Sequence, residues 1–208
     1  MALKIVIFYG SARASRQGIK AARFVARQCA ARGHQTTLIE PLSHPLPLLD
    51  RMYKEYAAGA APPVLQSMAE AIDAADGFLI VSGEYNHTVP PGLSNLMDHF
   101  LEQYFFKPSG IVSYSAGPFG GVRAAMTLRA MLGELGTPSI PSTLPISQVH
   151  KAFDDEGHAL DAAYEKRADR FLTEFEWYVR ALKHAREHPC SRGECASESA
   201  GVGQVQSP

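Results

Sequence analysis

Near the start of the chain, Gly10-Ser-Ala-Arg-Ala-Ser-Arg-Gln-Gly18 sets two hydroxyls (Ser11, Ser15), a guanidinium (Arg13) and an amide (Gln17) between two glycines. The run before it, Leu3-Lys-Ile-Val-Ile-Phe-Tyr9, is apolar and rich in β-branched and aromatic residues. After it, Ile19, Ala22, Ala26 and Cys29 recur at helical spacing up to Arg32-Gly33. The stretch is therefore the turn from a first strand into a first helix. Helix N-termini carry unpaired N–H groups and partial positive charge, and they attract anions. Short hydroxyl donors, free backbone N–H groups and one cation are what a phosphate monoester requires. A plainer reading has Ser11 or Ser15 capping the helix and Arg13 in solvent, since serine is a preferred cap. The stretch has neither the lysine of a Walker loop nor G-x-G-x-x-G spacing.

Two further stretches can meet this one. Gly77-Phe-Leu-Ile-Val-Ser82 is short and nearly all apolar, as a central strand covered on both faces must be. It runs into Gly83-Glu-Tyr-Asn-His-Thr-Val-Pro-Pro91, and Leu93, Leu96, Met97, Phe100 and Leu101 then follow amphipathic helical spacing. Ile111-Val-Ser-Tyr114 reads as a fourth strand and leads into the glycine-rich turn Ser115-Ala-Gly-Pro-Phe-Gly-Gly121. Gln35–Glu40 supplies the second strand and the stretch Ser139–Ile146 the fifth. Helices are expected from about Val64 to Ala75, from Gly121 to about Leu135, and from about Asp161 with Leu172, Phe175, Val179 and Leu182 on one face. The connection from Pro41 to Pro63 is long for such a chain, the length of a lid, an interface element or a plain surface excursion.

Strands alternating with helices predict an α/β doubly wound fold, a five-stranded parallel sheet in the order 2-1-3-4-5 with helices on both faces. Ligands of such sheets bind outside the C-terminal strand ends, at the switch point between strands 1 and 3. Three loops must converge there: Gly10–Gly18, Gly83–Pro90 and Ser115–Gly121. The first suits an anion, the second brings the Tyr85 face with the polar edges of Glu84 and Asn86, and the third is small enough to approach a flat ligand. Phosphate at one end and a flat polar ring at the other describe FMN.

These residues also resemble a family. Gly10-Ser-Ala-Arg-Ala-Ser15, then Glu84-Tyr-Asn-His-Thr-Val-Pro90 and Leu93-Ser-Asn95-Leu-Met-Asp98, is similar to the pattern G-S-x-R-x-x-S followed by E-Y-N-x-x-x-P-x-x-L-K-N-x-x-D. That is the pattern of the NAD(P)H-dependent FMN reductases. The chain departs from it at Ser94, where lysine is common, and at Arg16, where the pattern places its second serine. The resemblance runs from about Ile5 to Leu135. It implies a flavodoxin-like fold, bound FMN, and hydride transfer from NADPH or NADH to a second, small-molecule acceptor such as a flavin, quinone, azo compound or metal oxyanion. Ser11, Arg13, Ser15, Gln17 and Gly18 would hold the phosphate. Glu84, Tyr85 and Asn86 would lie along the ring system, chiefly through backbone groups and the Tyr85 face. Ser115, Gly117 and Gly120 would pass its other edge. No catalytic acid or base is expected, because the flavin itself accepts hydride. Arg16, Arg51 and Arg123 are candidates for the 2′-phosphate of NADPH.

The totals agree with an enzyme of this size. A chain of 208 residues fits one domain, expected over 1–188, with a Ser-, Gly- and Glu-rich tail from 189 to 208 expected to be disordered. A net charge of −1 makes no case for nucleic acid. No apolar run reaches the ~18 residues of a membrane span. Three cysteines make no disulfide framework, so a reducing cytoplasm is the expected compartment. His184 and His188, an i, i+4 pair followed by Cys190 and Cys195, have zinc-like composition, but Pro189 breaks the helix between them, and no metal site is expected. Tyr104-Phe-Phe106 with Met126, Leu128, Leu132 and Leu135 looks like surplus apolar surface, so a homodimer or homotetramer is expected. The competing functions are a flavodoxin-like electron carrier and a flavin-binding redox sensor. The cation in the loop and the near-neutral charge favour the enzyme over the carrier.

Overall fold

Every residue of β1 (Lys4–Tyr9) after Lys4 is buried. A strand with no solvent face needs partners at both edges and cover on both sides. β2 (Gln35–Ile39) pairs with it in parallel along one edge and β3 (Gly77–Ser82) along the other. β4 (Ser109–Tyr114) and β5 (Ser139–Ile146) extend the sheet beyond β3. The order is β2-β1-β3-β4-β5, parallel throughout, as the sequence predicts. β5 carries Pro141 and Pro145, and its pairing with β4 slips between Ser109 and Ile111, which an edge strand tolerates. The computed structural model describes residues 2–188. The expected tail from residue 189, with Cys190 and Cys195, lies outside the described residues.

The helices are α1 (Ile19–Ala31), α2 (Pro63–Ala74), α3 (Pro91–Asp98), α4 (Val122–Glu134), α5 (Val149–Ala152) and α6 (Ala162–Glu187). Phe24 of α1 and Phe171 and Phe175 of α6 pack with Ile5, Ile7 and Leu79 on one face of the sheet. Met68 of α2, Leu93 of α3 and Leu128 of α4 pack with Val6, Phe8 and Ile80 on the other. Prolines begin α2 and α3, where a missing N–H costs nothing. Asp161 caps α6 by accepting the Ala163 N–H at 2.8 Å. Among the described residues no helix is long and apolar enough to cross a membrane.

Two expectations change. Leu128 and Leu132 are fully buried, as is Tyr104, because the i, i+4 stripe of α4 that carries the leucines faces the sheet. Of the residues expected to form that surface, Phe105, Phe106 and Met126 are exposed. The long connection is not a free excursion. The Asn95 side chain accepts the Leu49 N–H at 3.0 Å and donates to the Pro47 carbonyl at 2.8 Å, and the Tyr53 N–H donates to the His99 carbonyl at 2.8 Å. Asn95 thus braces the loop that crosses α3.

Glu176 of α6 ties that helix to the end of α1. Its carboxylate accepts from Arg32 at 2.7 Å and lies 3.0 Å from His34 Nε2. Burial pushes this carboxyl up, but the hydrogen bond and charge of Arg32, joined by His34, outweigh burial and hold it below its ordinary 4.5. A lowered folded-state value contributes stability above the unfolded value that is lost as pH falls through the folded one. In urea unfolding, Glu176→Gln should therefore be less stable than the parent at neutral pH, and the gap should shrink once pH drops below about 4. A gap independent of pH would show that the ion pair does not titrate with folding.

Candidate functional site

The loop after β1 leads into α1 without a side-chain cap. Gly18 is the N-cap, and no side chain accepts a hydrogen bond from the first turn. Neither serine caps the helix. Ser11 is buried; its hydroxyl accepts the Arg13 N–H at 3.4 Å and lies 3.5 Å from the Tyr85 hydroxyl. A turn closes from Arg13 to Arg16, whose N–H donates to the Arg13 carbonyl at 3.2 Å. The positive end of α1 is thus left to whatever sits in front of it.

The loop after β3 folds back through a two-residue turn. Tyr85 and Thr88 exchange backbone hydrogen bonds of 3.1 and 3.0 Å across Asn86 (φ 51°) and His87 (φ 63°). Positive φ at both central residues is the type I′ geometry, which asparagine accepts more readily than most residues. Glu84 points the other way. Its carboxylate accepts the backbone N–H groups of Arg123 at 3.0 Å and Ala124 at 3.2 Å and lies 3.4 Å from the Arg123 guanidinium. α4 starts at a left-handed glycine, Gly121 (φ 72°), which offers no capping side chain. Glu84 therefore caps α4 from another loop.

The loop after β4 is tied around Ser115. Its hydroxyl donates to the Gly117 carbonyl and accepts the Gly120 N–H, both at 2.9 Å. The Gln148 N–H, at the start of α5, donates to Gly117 as well, at 2.9 Å. Beneath all three loops lies Tyr114. A Cβ added at Gly18 would fall 2.0 Å from its ring, so only glycine lets α1 begin where it does.

The three loops enclose a cavity of about 350 Å³, within the range of small-molecule sites. Of the residues expected in a site, Ser11, Arg13, Ser15, Gln17, Gly18, Glu84, Tyr85 and Ser115 line it. Asn86, Gly117 and Gly120 are not among its lining residues: Asn86 forms the turn, and the two glycines hold Ser115 in place. Gly83 and Ala116, in loops the sequence brings together, also line it, as do Tyr114 and Val149, which sequence reading does not find. Arg16 also lines it, paired with Glu40 at 2.6 Å. Arg51 stacks on Tyr56, 4.2 Å from its ring centre, away from the cavity. Burial, reinforced by neighbouring Tyr9, pushes the Tyr114 phenol above its ordinary value, and burial does the same for Tyr9. Both phenols stay protonated, so the base of the cavity carries no charge.

The chemistry divides along the cavity. At the β1 end stand hydroxyls, two guanidiniums and the uncapped start of α1. Toward β3 and β4 stand the Tyr85 ring and Ser115, with the Glu84 carboxylate turned onto α4. An anion fits the first end and a flat ring the second. Elsewhere, His184 and His188 stack on each other at 4.3 Å. Asp154, Glu156 and His158 gather within 4.8 Å, but Asp154 already accepts the N–H groups of the other two, so the cluster closes a surface loop. Removing the cap of α4 by Glu84→Ala should cost about 1 kcal/mol in denaturant unfolding. Gly18→Ala should cost about 1–3 kcal/mol through overpacking against Tyr114, and that cost should be smaller when it is introduced into Tyr114→Ala than into the parent.

Comparison with known proteins gives concordant results. Residues 3–151 match the family model described as NADPH-dependent FMN reductase. The chain is 35% identical over 139 residues to an NAD(P)H-dependent FMN reductase of Pseudomonas aeruginosa, covering 64% of this chain and 75% of that protein. It is 30% identical over 147 residues to an NADPH:quinone oxidoreductase of Arabidopsis thaliana, covering 67% of this chain and 72% of that one. Among solved structures, the flavoenzyme NAD(P)H:(acceptor) oxidoreductase FerB of Paracoccus denitrificans superposes with a TM-score of 0.65 at 19% identity, over 88% of this chain and 98% of that one. This last likeness concerns the fold.

Proposed function

The chain belongs to the NADPH-dependent FMN reductase family and is an NAD(P)H-dependent FMN oxidoreductase, and from that premise we propose how its own residues serve the reaction. The redox chemistry, hydride acceptance from NAD(P)H and electron delivery to an acceptor, is what the flavin supplies when bound. The chain binds and orients. Ser11, Arg13, Ser15, Gln17 and the N–H groups at Gly18 take the phosphate. Tyr85 and the backbone at Gly83 and Glu84 border the ring, and Ser115 its far edge. Asn86, Gly117 and Gly120 act one step back, by shaping those loops. The observation that carries this assignment is the uncapped start of α1, which opens with two hydroxyls and a guanidinium into the same cavity as the Tyr85 ring. A carboxylate in that end would repel a phosphate, and the nearby ones are engaged elsewhere, Glu84 on α4 and Glu40 on Arg16.

The acceptor is a small molecule. Relatives named for quinone reduction, in Arabidopsis thaliana and Escherichia coli, favour a quinone or a free flavin. We place the enzyme in the cytoplasm, with which its free and buried Cys29 is compatible. We also assign it a homo-oligomeric state, dimer or tetramer. Phe119, Val122 and Met126 are exposed along the start of α4, beside the Glu84–Arg123 edge of the cavity, and a second copy seated there would border the site.

The purified protein should show a two-banded flavin absorption spectrum that bleaches when NADPH is added without oxygen and without any partner protein. A yellow protein that does not bleach would instead be a carrier or sensor. Arg13→Gln should weaken FMN binding about 10- to 100-fold, the worth of one charge-assisted hydrogen bond. Equilibrium dialysis of the flavin-free protein measures it, and an unchanged affinity would remove Arg13 from the phosphate site.

A further inference from the structure

α6 ends at Glu187, and two exposed histidines stand together at that end. The ring centres of His184 and His188 lie 4.3 Å apart. The His188 ring Nδ1 lies 3.0 Å from the His184 carbonyl oxygen, and the His188 backbone N–H donates to the same oxygen at 2.9 Å. A carbonyl oxygen only accepts, so in the neutral ring Nδ1 carries the proton and Nε2 keeps its lone pair. Metal-ligating histidines are prepared in this way: one ring nitrogen donates to a fixed acceptor, which sets the tautomer and the ring orientation. Among the described residues the His184 ring has no hydrogen-bond or ion-pair partner. Two imidazoles this close can each place a nitrogen on one ion, at the ~2.0–2.1 Å of a zinc–nitrogen bond.

The sequence supplies the rest of a coordination sphere. His184-x-x-x-His188 is followed by Cys190-x-x-x-x-Cys195, with Gly193 between the cysteines. Both spacings fall within those of zinc-binding Cys2His2 sets. The cysteines lie outside the described residues, but chain length limits where they can go. Two residues span at most about 7 Å, so Cys190 stays close to His188. A continuing helix would carry residue 190 about 200° around the axis, to the opposite face. Pro189 prevents that, because it cannot continue the helix and it disfavours helical backbone at the residue before it. His188 has already left helical geometry, at φ −129° and ψ 68°. The proline that argues against a metal site in the sequence thus leaves Cys190 free to reach the imidazoles.

We propose that His184, His188, Cys190 and Cys195 form a tetrahedral zinc site that ties the end of the chain to α6. Two nitrogens and two sulfurs suit Zn2+ and not magnesium or calcium, which take oxygen ligands. On binding, each thiol loses its proton to solvent and the imidazoles stay neutral, so two protons leave per zinc. The two thiolates then balance the charge of the ion. Four protein ligands leave the metal no open position, which makes its role structural. Neither histidine lines the flavin cavity, and the proposal does not depend on the flavin assignment.

The test uses the full-length protein, freed of metal with a chelator and kept reduced with a phosphine. It is titrated with Co2+ and then with Zn2+. Co2+ in a tetrahedral thiolate site absorbs in the red, clear of the flavin bands. Those bands should saturate at a single equivalent of Co2+ and be bleached by Zn2+. His184→Ala, His188→Ala, Cys190→Ser and Cys195→Ser should each lower Zn2+ affinity at least about 100-fold, since loss of an outer-shell partner alone brings about 10- to 100-fold. NADPH oxidation should be unchanged in all four variants. Zn2+ should also slow trypsin cleavage after Arg192, which lies between the cysteines, in the parent and not in Cys195→Ser. A parent that shows no red bands would overturn the proposal. So would Zn2+ affinity that survives both cysteine substitutions, which would leave only an adventitious pair of surface imidazoles. Affinity that survives both histidine substitutions would overturn it equally, by detaching the metal from α6.

Discussion

The Tyr114 ring lies so close to Gly18 and Gly83 that a Cβ at either would fall 2.0 Å or 3.0 Å from its nearest atom. That contact joins the ends of β1, β3 and β4 through one side chain. It requires glycine at the start of α1, and a glycine there leaves α1 without a capping side chain. It also buries the Tyr114 phenol beside Tyr9, with ring centres 6.2 Å apart, so the base of the cavity is aromatic and uncharged. The anion end of the site and its apolar base therefore have one packing origin.

Around that base, the acidic residues are committed elsewhere. Glu84 caps α4, and Glu40 takes Arg16. Each arrangement settles two requirements together. Capping α4 from the β3 loop satisfies orphan N–H groups that Gly121 cannot serve, and it fixes the backbone that borders the cavity. The Arg16–Glu40 pair neutralises an acid near the end of β2 and orders a cation. The structure thus separates acids that position from hydroxyls and N–H groups that bind.

The strands and their order were legible in the sequence because each central strand is buried on both faces and must be apolar throughout. The convergence of three loops followed from that order alone. Other features were hidden for physical reasons. Glu84 and the first turn of α4 are joined across 39 positions, a distance no local pattern spans. Tyr114 reads as one more strand residue, although at the end of β4 it packs against Gly18 and Gly83 under the loops. α5 is a four-residue helix, too short to show periodicity, so Val149 gave no sign of reaching the cavity wall. Leu128 and Leu132 read as surplus surface because spacing shows that a helix has an apolar stripe without showing which way the stripe faces. An asparagine before a histidine is also a turn signal, and Asn86 sits in the turn of the β3 loop.

Among the described residues no histidine or cysteine lines the cavity, and these are the side chains that ordinarily titrate near neutrality. Burial keeps the Tyr114 phenol at its base protonated. The base of the site is thus a neutral aromatic surface. Proton traffic on binding then belongs to the ligand, whose phosphate takes its second charge at a pKa of about 6.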